Sequence, residues 1–278
     1  MATQLDKAQR FRALHARPGA FVMPNPWDAG SARMLAGMGF EALASTSAGF
    51  ANAAGFADGR VTRGQVIEHC RVLVAATDLP VNADLENCFA DDPKQAAQTI
   101  VLAAQAGVVG GSIEDYSGED SQTLYDFSLA VERVQAAAEA ARSLQFPFML
   151  TARAENFLRG RPDLDDTIRR LQAFEAAGAD VLYAPGLTTL DQVRAVTSAV
   201  SKPVNILAVM IKGASVAQLA QAGAKRLSVG GALARVAVTA LLRAGAQLRD
   251  EGSFGWAAGL TPTGEVNRLL DAGAARDD

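Results

Sequence analysis

The feature that most constrains this sequence is an alternation of short apolar runs with longer stretches of helical pattern. Eight runs have the length and composition of strands, at residues 21–25, 42–46, 80–86, 109–115, 148–155, 179–185, 203–209 and 226–232. Most stretches between them carry apolar residues at i, i+3, i+4 and i+7, the spacing of a helix with one buried face. Several close on glycine just before the next run, as helix C-termini commonly do. The alternation predicts parallel strands joined by helices.

Eight strand–helix units predict an α/β protein with a (β/α)₈ TIM-type barrel. The alternative is an open doubly wound sheet, which usually needs a glycine fingerprint after its first strand. Here that turn reads PNPWDAGSAR (24–33), with proline and tryptophan where the glycines should be. We therefore expect a single barrel domain over residues 1–278.

Residues 234–278 are expected to form a C-terminal helical segment of this domain. Two helices are predicted after the eighth strand, although a barrel needs only one there. The last helix is predicted to begin with Thr261 as N-cap and Pro262 at its first position. We expect the extra helix to pack on a neighbouring subunit.

The composition of the chain indicates which binding partners and which cellular compartment to expect. The chain has a net charge of −4 and no run rich in lysine and arginine, which argues against nucleic acid as a partner. It has two cysteines, Cys70 and Cys88, too few for a disulfide framework or a cysteine-based zinc site. We recognise neither a signal peptide nor an apolar run of membrane-spanning length. We expect a cytoplasmic protein without a membrane partner.

Acidic residues collect at the ends of neighbouring predicted strands, where barrel active sites lie. Asp84 and Glu86 are two positions apart and so face the same way, Glu114 ends the next strand, and Asp58 lies in a glycine-rich loop. Crowded carboxylates repel one another unless a cation neutralises them, and an all-oxygen set suits Mg²⁺ held largely through water. We predict such a site. Alternatively, single acids cap helices or pair with Arg153.

Two further segments have the chemistry of a substrate site. Arg153, at the end of the fifth predicted strand, can grip a carboxylate with its planar guanidinium, or pair with Glu155 or Glu114 instead. The segment STSAG (45–49) offers small residues and backbone N–H groups for a carboxylate or oxyanion, although a simple turn explains it as well. Nearby acids should raise the pKa of the Cys88 thiol, which argues against a thiolate nucleophile.

With these residues assembled, the chain resembles the isocitrate lyase/phosphoenolpyruvate mutase superfamily along nearly its whole length. The matching stretches are STSAGFANAAGFADG, VNADLEN, GGSIEDY, TARAENFLRGRPDLDDTIRRLQAFEAAGADVLYAPG and KPVNILA. The resemblance implies a barrel that uses Mg²⁺, with Mn²⁺ as the alternative ion. It also implies a homodimer or homotetramer that exchanges its C-terminal helix, and cleavage or formation of a C–C or P–C bond beside a pyruvate-like fragment through an enolate.

The resemblance also assigns roles to individual residues. It makes Asp84 the main metal-site acid, and Glu86 and Glu114 join it. The residues expected to take part in catalysis are Asp58, Glu86, Glu114 and Arg153. The residues expected to bind substrate are Thr46, Ser47, Ala48, Arg153 and Asn205.

Departures from the family pattern limit what the resemblance implies about the reaction. The stretch EDYSGEDSQTLYDFS (114–128) lacks the Lys-Lys-Cys-Gly-His loop of the lyases and the lysine and asparagine of the mutase branch. YAPG (183–186) lacks the glutamate that the lyases place on the sixth strand. A decarboxylase tolerates these losses best, because a retro-aldol lyase needs an acid–base pair that Tyr116, Glu86 or Cys88 would have to supply.

We therefore expect a Mg²⁺-dependent carbon–carbon lyase or decarboxylase acting on a small 2-oxo or 2-hydroxy di- or tricarboxylate, oxaloacetate-like or methylisocitrate-like. The Asp58 loop and the 116–126 loop are expected to close over the substrate and exclude water. One alternative is a mutase or hydrolase of a phosphonopyruvate-like P–C bond, which the acidic loop residues disfavour. The other is a 2-oxoacid-binding protein without turnover.

Overall fold

The structure, a computed structural model, describes residues 2–118 and 124–275 of the chain. Its strands are β1 (Phe21–Val22), β2 (Leu43–Ala44), β3 (Val81–Ala83), β4 (Gly110–Glu114), β5 (Met149–Arg153), β6 (Val181–Tyr183), β7 (Val204–Leu207) and β8 (Arg226–Ser228). Each lies inside one of the eight predicted runs and is shorter than it. The predicted strand positions are confirmed.

Helices lie between the strands and after the last one. Those before β5 are α1 (Gln4–Ala16), α2 (Ala29–Gly37), α3 (Ser47–Ala53), α4 (Arg63–Ala76), α5 (Pro93–Gln105) and α6 (Phe127–Arg142). Those after it are α7 (Leu164–Ala176), α8 (Leu190–Ala199), α9 (Val216–Gln221), α10 (Ala232–Glu251) and α11 (Thr263–Gly273). Short 3₁₀ turns occupy Ala208–Met210 and Gly255–Gly259.

The eight strands are all parallel and form a sheet in the order β1-β8-β7-β6-β5-β4-β3-β2. The two ends of this order also meet, since the Ala44 amide of β2 donates to the Pro24 carbonyl just after β1, at 3.0 Å. The sheet therefore curls back on itself. This is the predicted (β/α)₈ fold.

Helix α1 lies against the amino-terminal end of the barrel. Its residues Phe11 and Leu14 are buried and pack with Phe21, Met149 and Val181, the first residues of β1, β5 and β6. Apolar side chains thus fill most of this end of the barrel, and Arg226 at the start of β8 and His15 of α1 are buried polar exceptions. The predicted site residues collect at the opposite, carboxyl-terminal end, as in other barrels of this type.

Eight of the eleven described α-helices begin with a side-chain N-cap, and α6, α10 and α11 begin without one. Asp28, for example, caps α2 by accepting a hydrogen bond from the Ser31 amide at 2.7 Å. The prediction that Thr261 caps the last helix is wrong. Helix α11 begins at Thr263 because Pro262 is still extended, with φ −58° and ψ 137°, and takes the N-cap position.

The two C-terminal helices have different surroundings. Helix α11 packs on α2 of its own chain, where Gly37 and Gly273 let the backbones meet: a Cβ atom at Gly37 would overlap the Leu269 carbonyl oxygen. Helix α10 instead exposes about two thirds of the side chains of Val236, Leu241 and Leu242. Packing of this segment on a neighbouring subunit stays a prediction. Among the described residues, no helix is both long and apolar enough to cross a bilayer.

Candidate active site

A cavity of about 890 Å³ opens at the carboxyl ends of the strands. Every predicted site residue lines it, namely Thr46, Ser47, Ala48, Asp58, Asp84, Glu86, Glu114, Arg153 and Asn205. The barrel topology gathers these residues, because the ends of parallel strands meet at one rim. Of the predicted 116–126 loop, residues 119–123 lie outside the described residues.

The loop after β3 presents two acids to this cavity. Asp84 Oδ2 accepts from the Ser47 amide at 3.0 Å, and the Asp84 amide donates to Ser45 Oγ at 2.7 Å. Glu86, Cys88 and Phe89 all have left-handed backbones, with φ of 50°, 59° and 58°. Each costs on the order of 1–2 kcal/mol in a residue with a side chain. The surrounding structure therefore holds this loop in a strained conformation beside the cavity.

Glu86 lies in an environment that disfavours its negative charge. Burial raises the pKa of Glu86 to about 7, and the neighbouring charges of Asp84 and Asp58 add to the effect. Its Oε1 atom is buried and has no hydrogen-bond partner. Asp58 lies at the mouth of the cavity, where burial and the Asp84 charge raise its pKa as well. The arginines nearby therefore do not fully offset the burial of the Glu86 and Asp58 carboxylates.

Arg153 ends β5 and pairs with acids from three places in the chain. Its guanidinium lies 3.0 Å from Asp84 Oδ1, 3.1 Å from Glu114 Oε2 and 2.8 Å from Glu155 Oε1. These charges raise the pKa of Arg153 well above its usual value, although burial alone would lower it. The alternative in which Arg153 pairs with Glu155 or Glu114 is therefore present in the structure. Its contact with a substrate carboxylate stays a prediction.

Glu114 is the most buried of the four acids predicted for the site, which also include Asp58, Asp84 and Glu86. Burial raises its pKa well above the usual value, while the charges of Arg153 and Arg159 oppose that shift. A second arginine, Arg159, reaches within 3.7 Å of Glu114 Oε1 and stacks on the Tyr116 ring at 3.5 Å from its centre. Sequence reasoning missed Arg159, since its position in the loop after β5 gives no periodic signal.

A buried network behind the cavity fixes the backbone that carries these arginines. Asp115 Oδ1 accepts from the Glu155 amide at 2.8 Å, and Arg170 Nη1 donates to Asp115 Oδ2 at 3.0 Å. Arg170 also pairs with Asp166 at 2.9 Å. Helix α7 is thereby tied to the ends of β4 and β5. Asp115 does not line the cavity, and its role is to hold the strand ends in place.

The other residues predicted to bind substrate lie on other walls of the cavity. Thr46 is the N-cap of α3, with its hydroxyl accepting from the Gly49 amide at 3.3 Å, so residues 46–48 form the start of a short helix. Asn205 lies on β7, almost fully buried, and both ends of its amide are hydrogen-bonded, to Arg226 and Ser228. Their contacts with substrate stay predictions.

Cys88 has no access to the cavity. It is buried, its thiol lies 3.8 Å from the Ser112 carbonyl oxygen, and it is absent from the cavity lining. Burial raises its pKa to about 12. A thiol in that state is neither a nucleophile nor an acid–base catalyst at neutral pH. The expectation that its pKa rises holds, with burial rather than nearby acids as the main cause.

The cavity wall around Asp84 fits a hard divalent cation. The donors are carboxylate oxygens, the buried Glu86 Oε1 lacks a partner, and Asp58 faces the same wall. Among the described residues, no three His, Cys, Asp or Glu side chains are grouped tightly enough to hold one ion directly. Arg153 lies between Asp84 and Glu114, so direct ligation by all three predicted acids is not the arrangement seen here. An ion held largely through water remains compatible.

Comparison with known proteins identifies the family of this chain. The sequence model described as phosphoenolpyruvate phosphomutase matches residues 11–249. The chain belongs to this family. It is thereby a member of the isocitrate lyase/phosphoenolpyruvate mutase superfamily, as the resemblance implied. Proteins similar to this chain are named lyases, decarboxylases, mutases and hydrolases, and one solved structure of the same fold is a phosphonopyruvate hydrolase in complex with oxalate and Mg²⁺.

Three relatives show the range of this family. A protein of Burkholderia cenocepacia J2315, provisionally named a lyase/mutase, is 54% identical with a TM-score of 0.93, covering 96% of both chains. The 2-methylisocitrate lyase of Bacillus subtilis strain 168 is 28% identical over 216 residues, 75% of this chain and 69% of that one. The oxaloacetate decarboxylase of Paraburkholderia xenovorans LB400 is 28% identical over 204 residues, 70% of this chain and 66% of that one.

Proposed function

We propose that this family member is a Mg²⁺-dependent lyase that cleaves a C–C bond in a small 2-oxo or 2-hydroxy di- or tricarboxylate. Decarboxylation of an oxaloacetate-like acid through a pyruvate-type enolate is the form we favour. The observation that carries the proposal is the pair of acids Asp84 and Glu86 beside Arg153 in one cavity. Arg153 contacts Asp84 directly, and the buried Oε1 atom of Glu86 has no hydrogen-bond partner.

In this proposal Asp84 and Glu86 hold the cation, with water completing its shell and Glu114 behind them. Bound Mg²⁺ supplies a Lewis acid that draws electrons toward the 2-oxo group as the bond breaks. Arg153 and the segment 46–48 orient the substrate carboxylate, since they lie on the same cavity. Asn205 contacts the substrate from the β7 wall.

We favour decarboxylation because its first step, the loss of CO₂, needs no acid–base pair from the protein. Loss of CO₂ leaves an electron pair that the 2-oxo group accepts, and a proton is required only afterwards. Cys88, one of three residues that could have supplied the acid–base pair of a retro-aldol reaction, is buried, and burial raises its pKa to about 12. Two relatives are named oxaloacetate decarboxylase, which supports decarboxylation as the reaction. Because another relative is named 2-methylisocitrate lyase, the experiment below also tests retro-aldol cleavage.

We further propose that the protein is cytoplasmic and forms a homodimer or homotetramer through its C-terminal segment. The exposed apolar side chains of α10, with Phe254 and Leu260 after it, support this. Light scattering coupled to size exclusion should give a mass of two or four chains. A Leu241→Glu, Leu242→Glu double variant should shift that mass toward one chain, and an unchanged mass would argue against this contact.

The experiment on function is a substrate screen with purified protein and Mg²⁺. Oxaloacetate, 2-methylisocitrate and phosphonopyruvate all give pyruvate, and the co-product, CO₂, succinate or phosphate, identifies the bond that broke. Asp84→Asn keeps an oxygen acceptor for the Ser47 amide and removes the charge. It should lower turnover by roughly 10²-fold or more. Asp191→Asn, at an exposed position on α8, is the matched control and should leave turnover unchanged.

Three results would contradict the proposal. Phosphate as the co-product would assign the protein to P–C chemistry. Mg²⁺-dependent binding of oxalate without product from any substrate would leave a binding protein. Turnover by Asp84→Asn at the wild-type rate would refute the cation site.

A further inference from the structure

A row of polar side chains runs around half of the barrel interior. Register neighbours from β4 to β8 are Glu114, Arg153, Tyr183, Asn205 and Arg226, each opposite the next across the ladder. Residues opposite one another in a sheet face the same side, and all five line the cavity. The row begins in the acidic wall and ends at a second arginine.

Arg226 is a buried cation without an anionic partner. It is 2% exposed, and no acid among the described residues lies within ion-pair distance of it. Its Nε donates to Asn205 Oδ1 at 2.8 Å and its Nη2 to Thr151 Oγ1 at 2.9 Å. Its Nη1 faces His15 Nε2 at 3.4 Å. Burying a charge in this way is costly, so packing alone does not account for an arginine at this position.

The donors of Arg226 fix the direction of the hydrogen bonds that follow. An arginine only donates, so the oxygen of Asn205 must face it and the amide nitrogen must point the other way. That nitrogen donates to Ser228 Oγ at 2.9 Å. Ser228 therefore has its own hydrogen left to donate, and it lies close enough to the Tyr183 phenol to lower the pKa of that group. The hydrogen bonds run from Arg226 through Asn205 to Ser228, whose free hydrogen can turn toward the phenol oxygen of Tyr183.

With the Ser228 hydrogen turned toward the phenol oxygen, the Tyr183 hydroxyl keeps its own hydrogen to donate. Among the described residues, none accepts a hydrogen bond from Tyr183, and the Tyr183 side chain lines the cavity. The ring lies 5.2 Å from the Arg153 guanidinium and lines the cavity. A hydroxyl placed in this way can donate its proton to a molecule in the cavity.

The surroundings of Tyr183 suit a proton donor to carbon. Burial raises its pKa to about 12, so the resting enzyme holds the proton, while Arg153 and the Ser228 hydroxyl favour the phenolate. These two groups would therefore stabilise the phenolate for as long as it exists. Only a strong base such as an enolate carbon takes a proton from such an acid.

We propose that Tyr183 is the catalytic acid that protonates C3 of the enolate, and that Arg226, Asn205 and Ser228 are positioning residues that aim its hydroxyl. The inference rests on the proposed function in its decarboxylation form. The C3–C4 bond of the oxo acid breaks, CO₂ leaves, and the electron pair remains in the enolate. The Tyr183 O–H bond then breaks as a C3–H bond forms, giving pyruvate and a phenolate that water reprotonates after product release.

The test compares CO₂ and pyruvate formation from oxaloacetate by wild type and Tyr183→Phe, with Mg²⁺ present. In wild type the two products should appear together. In Tyr183→Phe pyruvate formation should slow by roughly 10²-fold, and it should lag behind CO₂ as released enol converts to pyruvate in solution. Calorimetry with oxalate, a planar mimic of the enolate, should give an affinity within about threefold of wild type.

Two further variants separate a catalytic role from a purely structural one. Tyr125→Phe removes a tyrosine hydroxyl outside the cavity lining and should show neither effect. Asn205→Asp removes the donor to Ser228, so Ser228 turns to the new carboxylate and Tyr183 loses its orientation. It should lower kcat more than it changes KM. This variant also carries the test if Tyr183→Phe does not fold.

The outcomes distinguish this inference from the proposed function. If wild type releases no pyruvate from oxaloacetate, the proposed decarboxylation fails. If wild type is active but Tyr183→Phe stays within threefold of its rate without a lag, the inference alone is overturned. A loss confined to Tyr116→Phe, the other cavity tyrosine, would also overturn it.

Discussion

Arg153 Nη1 donates to Asp84 Oδ1 at 3.0 Å, across 69 residues of sequence. The contact joins the end of β5 to the loop after β3. Both residues were predicted to contact exogenous groups, Arg153 a substrate carboxylate and Asp84 a cation. In the structure they neutralise each other in part. A cation beside Asp84 would compete with Arg153 for the same carboxylate, and the arginine would then be freer to bind a substrate.

Removal of Arg153 should destabilise the fold strongly. Arg153→Met keeps the unbranched stem of the side chain, removes the guanidinium and leaves buried carboxylates, above all Glu155 and Glu114, without their cation. Breaking a buried pair in this way costs about 3–5 kcal/mol. Urea titration should show that loss in the free energy of unfolding.

The matched control for this change is an exposed ion pair. Arg17 makes a two-pronged pair with Glu41 on the surface, and Arg17→Met should cost about 1 kcal/mol or less. Equal costs for the two variants would mean that the Arg153 network contributes no more than a surface contact.

Replacement of Cys88 should have little effect on turnover. The thiol is fully buried, and its pKa is raised to about 12 by burial. Cys88→Ala should therefore keep kcat within about threefold of wild type, with a modest loss of stability from the small cavity left behind. Native protein should also react slowly with a thiol reagent that labels the urea-unfolded chain at once. A loss of turnover near 10²-fold would place a chemical role on this thiol.

The fold was predictable from sequence because the apolar runs, the helical spacing between them and the glycines at the helix ends all indicate the same arrangement. Eight apolar runs, most of them followed by a stretch with helical spacing, leave few arrangements other than a closed parallel barrel. The strands were predicted one to four residues too long at their carboxyl ends, because the residue pattern does not record where the ladder of backbone hydrogen bonds stops. The docking of α11 on α2 was not predictable, because Gly37 and Gly273 meet only in the folded chain.

The members of the site were predictable and their pairings were not. Barrel topology alone brings Asp84, Glu114 and Arg153 to one rim. Which of them neutralise one another depends on side-chain geometry that no local pattern records. Arg226 could have been found, because strict alternation along β8 places it on the same face as Ser228 at the strand end.

The pH dependence of stability should carry a contribution from His69. Its Nε2 donates to the Trp27 carbonyl at 2.9 Å, its ring stacks on Phe50, and burial lowers its pKa to about 4. The unfolded chain takes up a proton below the ordinary histidine pKa near 6.5, whereas the folded chain does not until about pH 4. The stabilisation is therefore present above pH 6.5 and is lost as pH falls, by up to about 1.4 kcal/mol per pH unit.

Urea titrations of wild type and His69→Gln at pH 8, 6 and 5 measure this contribution. Other titrating groups act equally in both proteins, so the difference isolates His69. The variant should be less stable at pH 8, and the difference should narrow at pH 5. Glu68→Gln, on the exposed face of the same helix, keeps His69 and is the control. A gap between His69→Gln and wild type that stays constant with pH would contradict the buried neutral state.

The close approach of α11 to α2 should make Gly37 intolerant of any side chain. Gly37→Ala would place a Cβ atom against the Leu269 backbone, which cannot move without displacing the helix. We expect α11 to detach, a loss of about 1–3 kcal/mol, and faster proteolysis within residues 252–275 than in the barrel. Gly64→Ala, in helix α4 with open space around it, should be neutral or stabilising by up to about 1 kcal/mol. Equal protection of the C-terminal segment in Gly37→Ala and wild type would show that α11 docks elsewhere.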